Sequence, residues 1–347
     1  MLPPERPFAL SDLLTTLLSE RPWLIADGAT GTNLFAMGLQ HGDAPELWNL
    51  EQPEKVRAHY RSFIEAGSDI VLTNTFGGTA NRLRLHGAQD RVFQINEAAA
   101  RLLVEEIATA GRRIVCAGSV GPTGDLLEPL GPLTYEQAVA AFRAQCEGLK
   151  AGGADLAWIE TMSSPDELKA AIQGATEAGL PVTCTLSFDT NGRTMMGVTP
   201  VELAGLAHDS RPAPLAFGGN CGTGAAELVA ALVQMRDATG PTDVVIAKAN
   251  CGIPVFIDGE VVYNGTPELM ARYAVMARDA GARIIGGCCG TTPEHIRAMR
   301  SALEASEPGP APSVEEVVAA LGSVSAGGLG QAPGEGAGRR GGRRRRG

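Results

Sequence analysis

Three cysteines in the C-terminal half of the chain close two short apolar runs. Cys221 closes the run Phe217-Gly-Gly-Asn-Cys-Gly222, and two adjacent cysteines close the run Arg283-Ile-Ile-Gly-Gly-Cys-Cys-Gly290. Thiolate sulfur is a soft donor that favours zinc, whereas magnesium and calcium prefer oxygen ligands. Three thiolates leave one position of a tetrahedral shell open for a substrate, as in a catalytic zinc site. The residues Cys221, Cys288 and Cys289 therefore predict a site for Zn2+.

A second interpretation of these runs needs no metal. Glycine-rich segments pack tightly, and buried thiols behave as small hydrophobic groups. The C-x-x-C pairs that are typical of structural zinc sites are absent from the chain. From the spacing alone, both interpretations stay open.

Two carboxylates stand in a similar position, at the ends of apolar runs. Asp27 precedes Gly28, and Glu160 closes the run Leu156 to Glu160. The glycine allows the backbone to approach a ligand closely and leaves amide donors free for a carboxylate. Carboxylates that bind an ammonium group, next to amides that bind a carboxylate, suit a zwitterionic substrate. An isolated aspartate is more often a helix cap or a surface charge, so the substrate interpretation depends on the nearby thiols.

Eight apolar runs with β-branched character recur along the chain, and each is followed by a turn and then by a helical pattern. The runs are Leu24 to Asp27, Ile70 to Thr75, Ile114 to Ser119, Leu156 to Glu160, Val182 to Phe188, Leu215 to Asn220, Val244 to Ala249 and Arg283 to Gly287. The helical stretches are Pro53 to Ala66, Val92 to Ala110, Thr134 to Ala151, Ser164 to Ala178, Thr223 to Met235, Thr266 to Ala280 and Thr292 to Ala305. Strands that alternate with helices indicate a parallel sheet.

Eight such units predict an α/β fold, a single (β/α)8 TIM barrel over residues 1–305. The active sites of such barrels lie at the C-terminal ends of the strands. The two carboxylates and three thiols all close predicted strands. They should therefore meet on one rim of the barrel.

The rest of the composition excludes several classes of protein. No apolar run approaches the length of about 18 residues that a membrane span needs, and the N-terminus has no secretory pattern. We therefore expect a cytoplasmic protein with reduced cysteines. The formal net charge is -10, and six arginines lie in the last nine residues. Without them 23 basic residues face 39 acidic ones, which argues against a nucleic-acid-binding enzyme.

The C-terminal segment differs in composition from the rest of the chain. Residues 306–347 are rich in Gly, Ala and Pro, end in arginines, and carry too few apolar residues for a core. They predict a flexible tail, with one short helix around Val314 to Leu321. A nucleic-acid partner for the arginines is not favoured. The sequence leaves the oligomeric state open, a homo-oligomer included.

Between about residues 20 and 305 the chain resembles the homocysteine S-methyltransferase family. The segments that carry the resemblance are Asp27-Gly-Ala-Thr-Gly-Thr32, Pro45-Glu-Leu-Trp-Asn49, Ala66-Gly-Ser-Asp69, Thr73-Asn-Thr-Phe76, Gly118-Ser-Val-Gly-Pro-Thr123, Ile159-Glu-Thr161, Asn220-Cys221 and Gly286-Gly-Cys-Cys-Gly-Thr291. The resemblance implies a zinc-dependent (β/α)8 barrel that methylates homocysteine to methionine. It implies zinc ligands at Cys221, Cys288 and Cys289, and ammonium-binding carboxylates at Asp27 and Glu160. It also implies a ligand or substrate contact at Asn220.

Members of the family differ in the methyl donor, which is betaine, S-methylmethionine or a methyl-corrinoid. A quaternary ammonium is held by aromatic faces, and Trp48, Phe76 and Trp158 lie near the predicted rim. We therefore expect glycine betaine as the donor and these three residues as its cage. A separate methyl-corrinoid protein and S-methylmethionine are the alternatives. Gly77 and Thr161 stand where the animal betaine enzymes have tyrosines, so any cage is built differently.

Two other classes of function are alternatives to a methyltransferase. One is a non-catalytic barrel that only binds zinc, which would make Asp27 and Glu160 incidental. The other is a barrel enzyme acting on a phosphate substrate, but no turn of the chain has the P-loop pattern. In that case the three cysteines would have no role.

Overall fold

The fold is described from a computed structural model that covers residues 12–252, 254–257 and 260–330. Eight parallel strands form one sheet in the order β1-β10-β7-β6-β5-β4-β3-β2, and β8 and β9 form an antiparallel hairpin. The strands are β1 (Leu24–Ile25), β2 (Ile70–Leu72), β3 (Val115–Val120), β4 (Leu156–Met162), β5 (Val182–Leu186), β6 (Ala216–Cys221), β7 (Val245–Ala249), β8 (Pro254–Ile257), β9 (Glu260–Tyr263) and β10 (Ala282–Gly287).

The two edge strands of the large sheet also meet. Ala26 forms a parallel bridge with Ile70, and the amide of Asp69 donates to the carbonyl of Ile25 at 2.6 Å. These contacts join β1 to β2 and complete the ring. The prediction of a (β/α)8 barrel is confirmed, with every one of the eight predicted strands in place.

Helices follow the strands around the outside of the barrel. They are α1 (Asp12–Glu20), α2 (Gly31–Ala36), α3 (Trp48–Glu51), α4 (Pro53–Glu65), α5 (Ala80–Leu83), α6 (Val92–Thr109), α7 (Tyr135–Ala151), α8 (Pro165–Glu177), α9 (Pro200–Asp209), α10 (Ala225–Met235), α11 (Pro267–Asp279), α12 (Pro293–Glu304) and α13 (Val314–Leu321). Short 3-10 helices span Pro45–Leu47, Arg84–His86, Gln89–Arg91 and Arg236–Ala238. Four helices, α8, α9, α11 and α12, begin with Ser or Thr followed by Pro, a combination that favours helix initiation.

The barrel has two apolar layers, one inside the ring of strands and one between the strands and the helices. Leu14, Leu17 and Leu18 of α1 close the bottom of the barrel and pack on its interior side chains, Trp158 among them. The outer layer joins the helices to the alternate strand residues, such as Ile159. Because neighbouring strand residues face opposite sides, Trp158 and Glu160 both face inward, with Glu160 closer to the rim.

The segment after α12 continues along the barrel surface. The helix predicted around Val314 to Leu321 is present as α13, and its residues Val317 and Leu321 are buried. Beyond it, the hydroxyl of Ser325 donates to Glu227 of α10 at 2.5 Å. This part of the predicted tail is therefore held against the barrel. Residues 331–347, which carry the arginines, lie outside the described residues.

No helix in the described ranges combines the length and the apolar character that crossing a bilayer requires.

Candidate metal and substrate site

The three predicted thiols meet at the rim of the barrel. The Sγ atoms of Cys221 and Cys288 are 2.7 Å apart, and those of Cys221 and Cys289 are 4.0 Å apart. All three sulfur atoms lie within 4.8 Å of one another. None of the seven cysteines takes part in a disulfide bond.

Strand register brings these cysteines to one level. Cys221 at the end of β6 pairs with Ala249 of β7, which in turn pairs with Gly287 of β10. Cys288 follows directly, and its amide donates to the carbonyl of Ala249 at 2.7 Å. The chain then turns at Gly290, whose φ of 78° is in the left-handed region. This turn lets two adjacent cysteines face one point, as the glycines around them predict.

Asn250 links the two cysteine turns. Its Nδ2 donates to the carbonyl of Gly222 at 2.6 Å, and its Oδ1 accepts the amide of Cys289 at 3.1 Å. The turn after Cys289 is packed from the other side, because a Cβ on Gly290 would lie 2.3 Å from the ring of Tyr263. These contacts orient the thiols independently of any bound ion.

The thiol cluster fits a metal ion bound by thiolates. A Zn–S bond of about 2.3 Å places the sulfur atoms of a tetrahedral shell about 3.8 Å apart, which lies within the range of distances in this cluster. Hydrogen bonds from Cys221 and Cys288 lower the pKa of Cys289 and favour its thiolate. Hydrogen bonds with Cys288 and Cys289, together with burial, raise the pKa of Cys221. A metal ion would displace the protons that these thiols retain.

Asn220, the residue before Cys221, is buried and lies between Thr161 and Cys288. Its Oδ1 accepts the amide of Thr161 at 2.9 Å, and its Nδ2 donates to the Thr161 hydroxyl at 2.7 Å. The same Nδ2 lies 3.9 Å from the sulfur of Cys288. The structure therefore places Asn220 between the rim of β4 and the thiols.

Glu160 lies beside the thiol cluster, on the inner face of β4. Its Oε1 accepts the hydroxyl of Ser119 at 2.5 Å. Burial raises the pKa of Glu160, while Lys248 and the bond from Ser119 act in the opposite direction. Glu160 lines the cavity that also contains the three thiols.

Asp27 lies deeper in the barrel than the sequence suggests. Its Oδ2 accepts the amide of Leu72 at 2.7 Å, and its Oδ1 contacts the ammonium of Lys248 at 2.5 Å. Burial alone would lower the pKa of Lys248, but the charges of Asp27 and Glu160 outweigh it and raise that pKa. Lys248 lines the cavity beside Glu160, whereas Asp27 does not.

One cavity of about 420 Å³ connects the thiols to the outside. Gly28 lines its inner part, and a Cβ there would lie 2.6 Å from the carbonyl of Thr291. Only glycine therefore lets these two backbone segments approach so closely. The outer part of the cavity is lined by Phe35, Phe76, Glu46 and Arg82.

Of the three aromatic residues predicted as a donor cage, only Phe76 lines this cavity. Trp158 faces the barrel interior one layer below Glu160, and Lys248 lies over its ring at 5.6 Å. Trp48 is buried in the outer layer with Lys55 over its ring at 4.5 Å. Two residues before Trp48 in the chain, Glu46 reaches the cavity. Phe35, which is not among the predicted cage residues, lines the cavity together with Phe76.

Several residues of the site are not predicted from the sequence. They are Lys248, Asn250, Glu46 and Tyr263, which all contact residues described above. A signal was present for Lys248, because a lysine in the apolar strand Val245-Ile-Ala-Lys-Ala249 is unusual. For the others, only the fold shows that they belong to the site.

Comparison with known proteins connects this geometry to a family. The model of a family described as homocysteine S-methyltransferase matches residues 24–303. The chain belongs to this family. The match covers every strand of the large sheet and all three clustered cysteines, which confirms the resemblance seen in the sequence.

Individual relatives agree with that assignment. Methionine synthase of Mycobacterium tuberculosis is 33% identical over 316 residues, covering 84% of this chain and 25% of the relative. The Mycobacterium leprae methionine synthase is 32% identical over 332 residues, covering 91% of this chain and 27% of the relative. The chain thus spans about a quarter of the length of these curated relatives.

A solved structure matches over nearly its whole length. The metallated form of the Escherichia coli homocysteine methyltransferase MmuM superimposes with a TM-score of 0.68 at 26% identity. The match covers 83% of this chain and 99% of that protein. The barrel fold of the homocysteine S-methyltransferase family is therefore the fold of this chain.

Proposed function

We propose that the protein methylates the sulfur of homocysteine to form methionine, with Zn2+ bound by Cys221, Cys288 and Cys289. The observation that carries this proposal is the convergence of three sulfur atoms within 4.8 Å beside the buried carboxylate of Glu160, in one cavity. Three thiolates leave a coordination position for a fourth sulfur. Family membership and the similarity to two methionine synthases support the same substrate. Seven cysteines without a disulfide bond are consistent with a reducing compartment, and we propose the cytoplasm.

The residues of the cavity suit homocysteine as a zwitterion. Glu160 is the acceptor for the α-ammonium group, and the backbone at Gly28 provides the close approach that the carboxylate end requires. When bound, the metal ion keeps the substrate thiol deprotonated at neutral pH. The walls around Glu160 are buried, so the thiolate is held in a fixed position with little water around it. Proximity of this kind lowers the barrier of a bimolecular step.

We further propose that glycine betaine is the methyl donor. Phe35 and Phe76 are 40% and 36% exposed at the mouth of the cavity, and aromatic faces bind quaternary ammonium groups. The Glu46 carboxylate lines the same part, where it accepts the amide of Gly77 at 2.6 Å. Arg82 supplies a cation for the carboxylate of betaine. In the transfer, the thiolate forms the new S–C bond, the C–N bond breaks, and nitrogen keeps its electron pair in dimethylglycine.

A methyl-corrinoid protein is the second candidate donor, and one observation favours it. Leu85 lines the cavity and is 68% exposed, and the loops that follow β3 and β5 expose Leu130 at 66% and Met195 at 74%. Exposed apolar residues around a cavity mouth are typical of protein contact surfaces. A macromolecular donor would cover them, whereas betaine would not. The relatives are about four times longer than the matched region, so further domains are available to them for this purpose.

The deciding experiment measures methionine formation by the purified, zinc-loaded protein. Homocysteine is supplied with glycine betaine, S-methylmethionine or methylcobalamin in separate reactions. Turnover with betaine supports the proposal, and Phe76→Ala should then raise the KM for betaine about tenfold, the value of a cation–π contact of about 1.4 kcal/mol. Trp48→Phe is the matched control, because Trp48 does not line the cavity.

Three other results would change the assignment. Turnover with S-methylmethionine alone would replace betaine by that donor. Homocysteine binding without turnover on any small donor would overturn betaine and favour a corrinoid partner. Zinc binding without homocysteine binding would favour a non-catalytic barrel.

A further inference from the structure

Lys248 is a buried cation between the two carboxylates of the site. Its side chain is only 2% exposed, and its Nζ lies 2.5 Å from the Oδ1 of Asp27. It comes from β7, at the same level as Asn220 of β6 and Gly286 of β10. A buried lysine is stable only when its charge is compensated. Its position next to Glu160 in the cavity brings it close to the proposed substrate.

Asp27 has little capacity left for a substrate. One of its oxygen atoms accepts the amide of Leu72, and the other contacts Lys248. Asp27 does not line the cavity, whereas Lys248 and Glu160 both do. An ammonium group that enters the cavity therefore meets the carboxylate of Glu160 and the ammonium of Lys248, and Asp27 lies behind them.

The charges of these three groups support the same assignment. Two carboxylates and one ammonium leave one net negative charge, which a single substrate ammonium neutralises. Without Lys248, two buried carboxylates would face one substrate ammonium, and a buried charge without a partner is costly. Lys248 therefore supplies the second cation that this pair of carboxylates needs.

We propose that Lys248 is a positioning residue of the homocysteine site. It neutralises Asp27 and leaves Glu160 as the single acceptor for the α-ammonium group of the substrate. This inference rests on the proposed function, because it assigns the contacts of homocysteine. It differs from the expectation that Asp27 and Glu160 both bind the ammonium group.

The test compares the binding of homocysteine with that of 4-mercaptobutanoate, which has the same thiol and carboxylate but no amino group. Calorimetry on the zinc-loaded protein measures both dissociation constants without a methyl donor, and their ratio reports recognition of the amino group. Glu160→Gln should reduce this ratio about tenfold to a hundredfold, because it removes a hydrogen bond to a charged group. The double variant Asp27→Asn with Lys248→Met removes the buried pair without leaving an unpaired charge, so it should leave the ratio nearly unchanged.

Two further variants test the role of Lys248 itself. Lys248→Met leaves Asp27 as a second free carboxylate, so homocysteine should still bind but with its thiol displaced, and kcat should fall more than KM changes. The double variant Asp27→Asn with Lys248→Met removes both charges, and it should recover kcat. It should also recover the unfolding temperature of the zinc-free protein, because the two changes are coupled.

Specific results would overturn the inference. If the double variant Asp27→Asn with Lys248→Met reduced the ratio as much as Glu160→Gln, Asp27 would contact the substrate directly. If the double variant were no better than Lys248→Met in kcat and in stability, the pair would not act as a unit. Absence of homocysteine binding to the unaltered protein would overturn the proposed function, and this inference with it.

Discussion

Asn220 holds Thr161 in a backbone conformation that threonine rarely adopts. Two hydrogen bonds connect the side chain of Asn220 to the amide and the hydroxyl of Thr161, at 2.9 and 2.7 Å. The φ angle of Thr161 is 63°, in the left-handed region, which is unfavourable for a β-branched residue. Thr161 directly follows Glu160, so this contact also fixes the end of the strand that carries the proposed ammonium acceptor.

Replacing Asn220 by alanine should therefore affect both stability and substrate binding. The variant loses two hydrogen bonds and leaves the amide of Thr161 without its partner, so the free energy of unfolding should fall by about 2 to 3 kcal/mol. The KM for homocysteine should rise, because Glu160 is no longer held. Urea denaturation and steady-state kinetics measure the two effects.

The matched control for Asn220→Ala changes Thr161, the residue with the unfavourable φ angle. Thr161→Gly removes the unfavourable φ at the cost of a single hydroxyl contact, and strain of this kind is worth about 1 to 3 kcal/mol. In the Asn220→Ala background it should recover part of the lost stability. Equal stability of the single and double variants would show that Asn220 does not compensate strain at Thr161.

The sequence predicts which residues end the strands, but it does not predict how deep each side chain lies. Continuous apolar runs identify all eight barrel strands, so the residues that end them meet at the rim as expected. Trp158 and Glu160 have the same inward direction, yet one lies in the packed interior and the other in the cavity. That difference depends on the stagger between strands, which local pattern does not contain.

Elements with weak apolar patterns were also missed. Helix α9 (Pro200–Asp209) has a capping box between Thr199 and Glu202, a signal that the sequence analysis did not use. The β8–β9 hairpin follows the strand that carries Lys248, and its last residue, Tyr263, packs on the turn at Gly290. Such long-range contacts define the site, and only the folded chain shows them.

The thiol cluster gives a prediction about metal content. Replacing Cys221, Cys288 or Cys289 by serine removes one of three sulfur ligands. Zinc affinity should fall by more than about a hundredfold, because even residues that only contact the ligands contribute up to about a hundredfold. Methionine formation should be lost with the metal. Mass spectrometry of the dialysed protein measures the zinc content.

Cys251 is the matched control for this series. It lies close to the cluster, but its Sγ contacts the carbonyl of Gly265 at 3.3 Å. Cys251→Ser should therefore retain zinc. If this variant lost as much zinc as Cys288→Ser, the ligand assignment would be wrong.

Glu46 gives a prediction about pH. Burial raises its pKa, while the amide of Gly77 opposes this shift. At low pH Glu46 is protonated in both the folded and the unfolded state, so it does not change the free energy of unfolding. As the pH rises through the raised pKa of the folded state, Glu46 must ionise in a buried position, and the free energy of unfolding falls. Glu46→Gln should therefore raise the unfolding temperature at pH 8 more than at pH 4.

The same variant tests the donor site. Glutamine keeps an acceptor for the amide of Gly77 but removes the negative charge, so the KM for betaine should rise while homocysteine binding stays the same. A stabilised protein with unchanged betaine KM would show that Glu46 has no part in donor binding.

The burial of His59 predicts that the fold loses stability in acid. This loss can be measured separately from the release of metal. Its ring is buried against Phe63 at 5.2 Å between centroids, and neither ring nitrogen has a hydrogen-bond partner among the described residues. Burial lowers its pKa from 6.5 to about 4, with Asp27 acting in the opposite direction. As the pH falls, His59 is therefore protonated in the unfolded state before it is protonated in the folded state. This residue should lower the free energy of unfolding by about 3 kcal/mol between pH 7 and pH 4.

His59→Phe should remove this dependence while keeping an aromatic ring against Phe63. Urea denaturation of the zinc-free protein at pH 7 and pH 4.5 measures the effect without interference from metal release. The variant should lose less stability on acidification than the unaltered protein, by about 2 to 3 kcal/mol. Parallel losses in both proteins would mean that His59 gains a proton without unfolding, and that its cavity admits water or a charge partner at low pH.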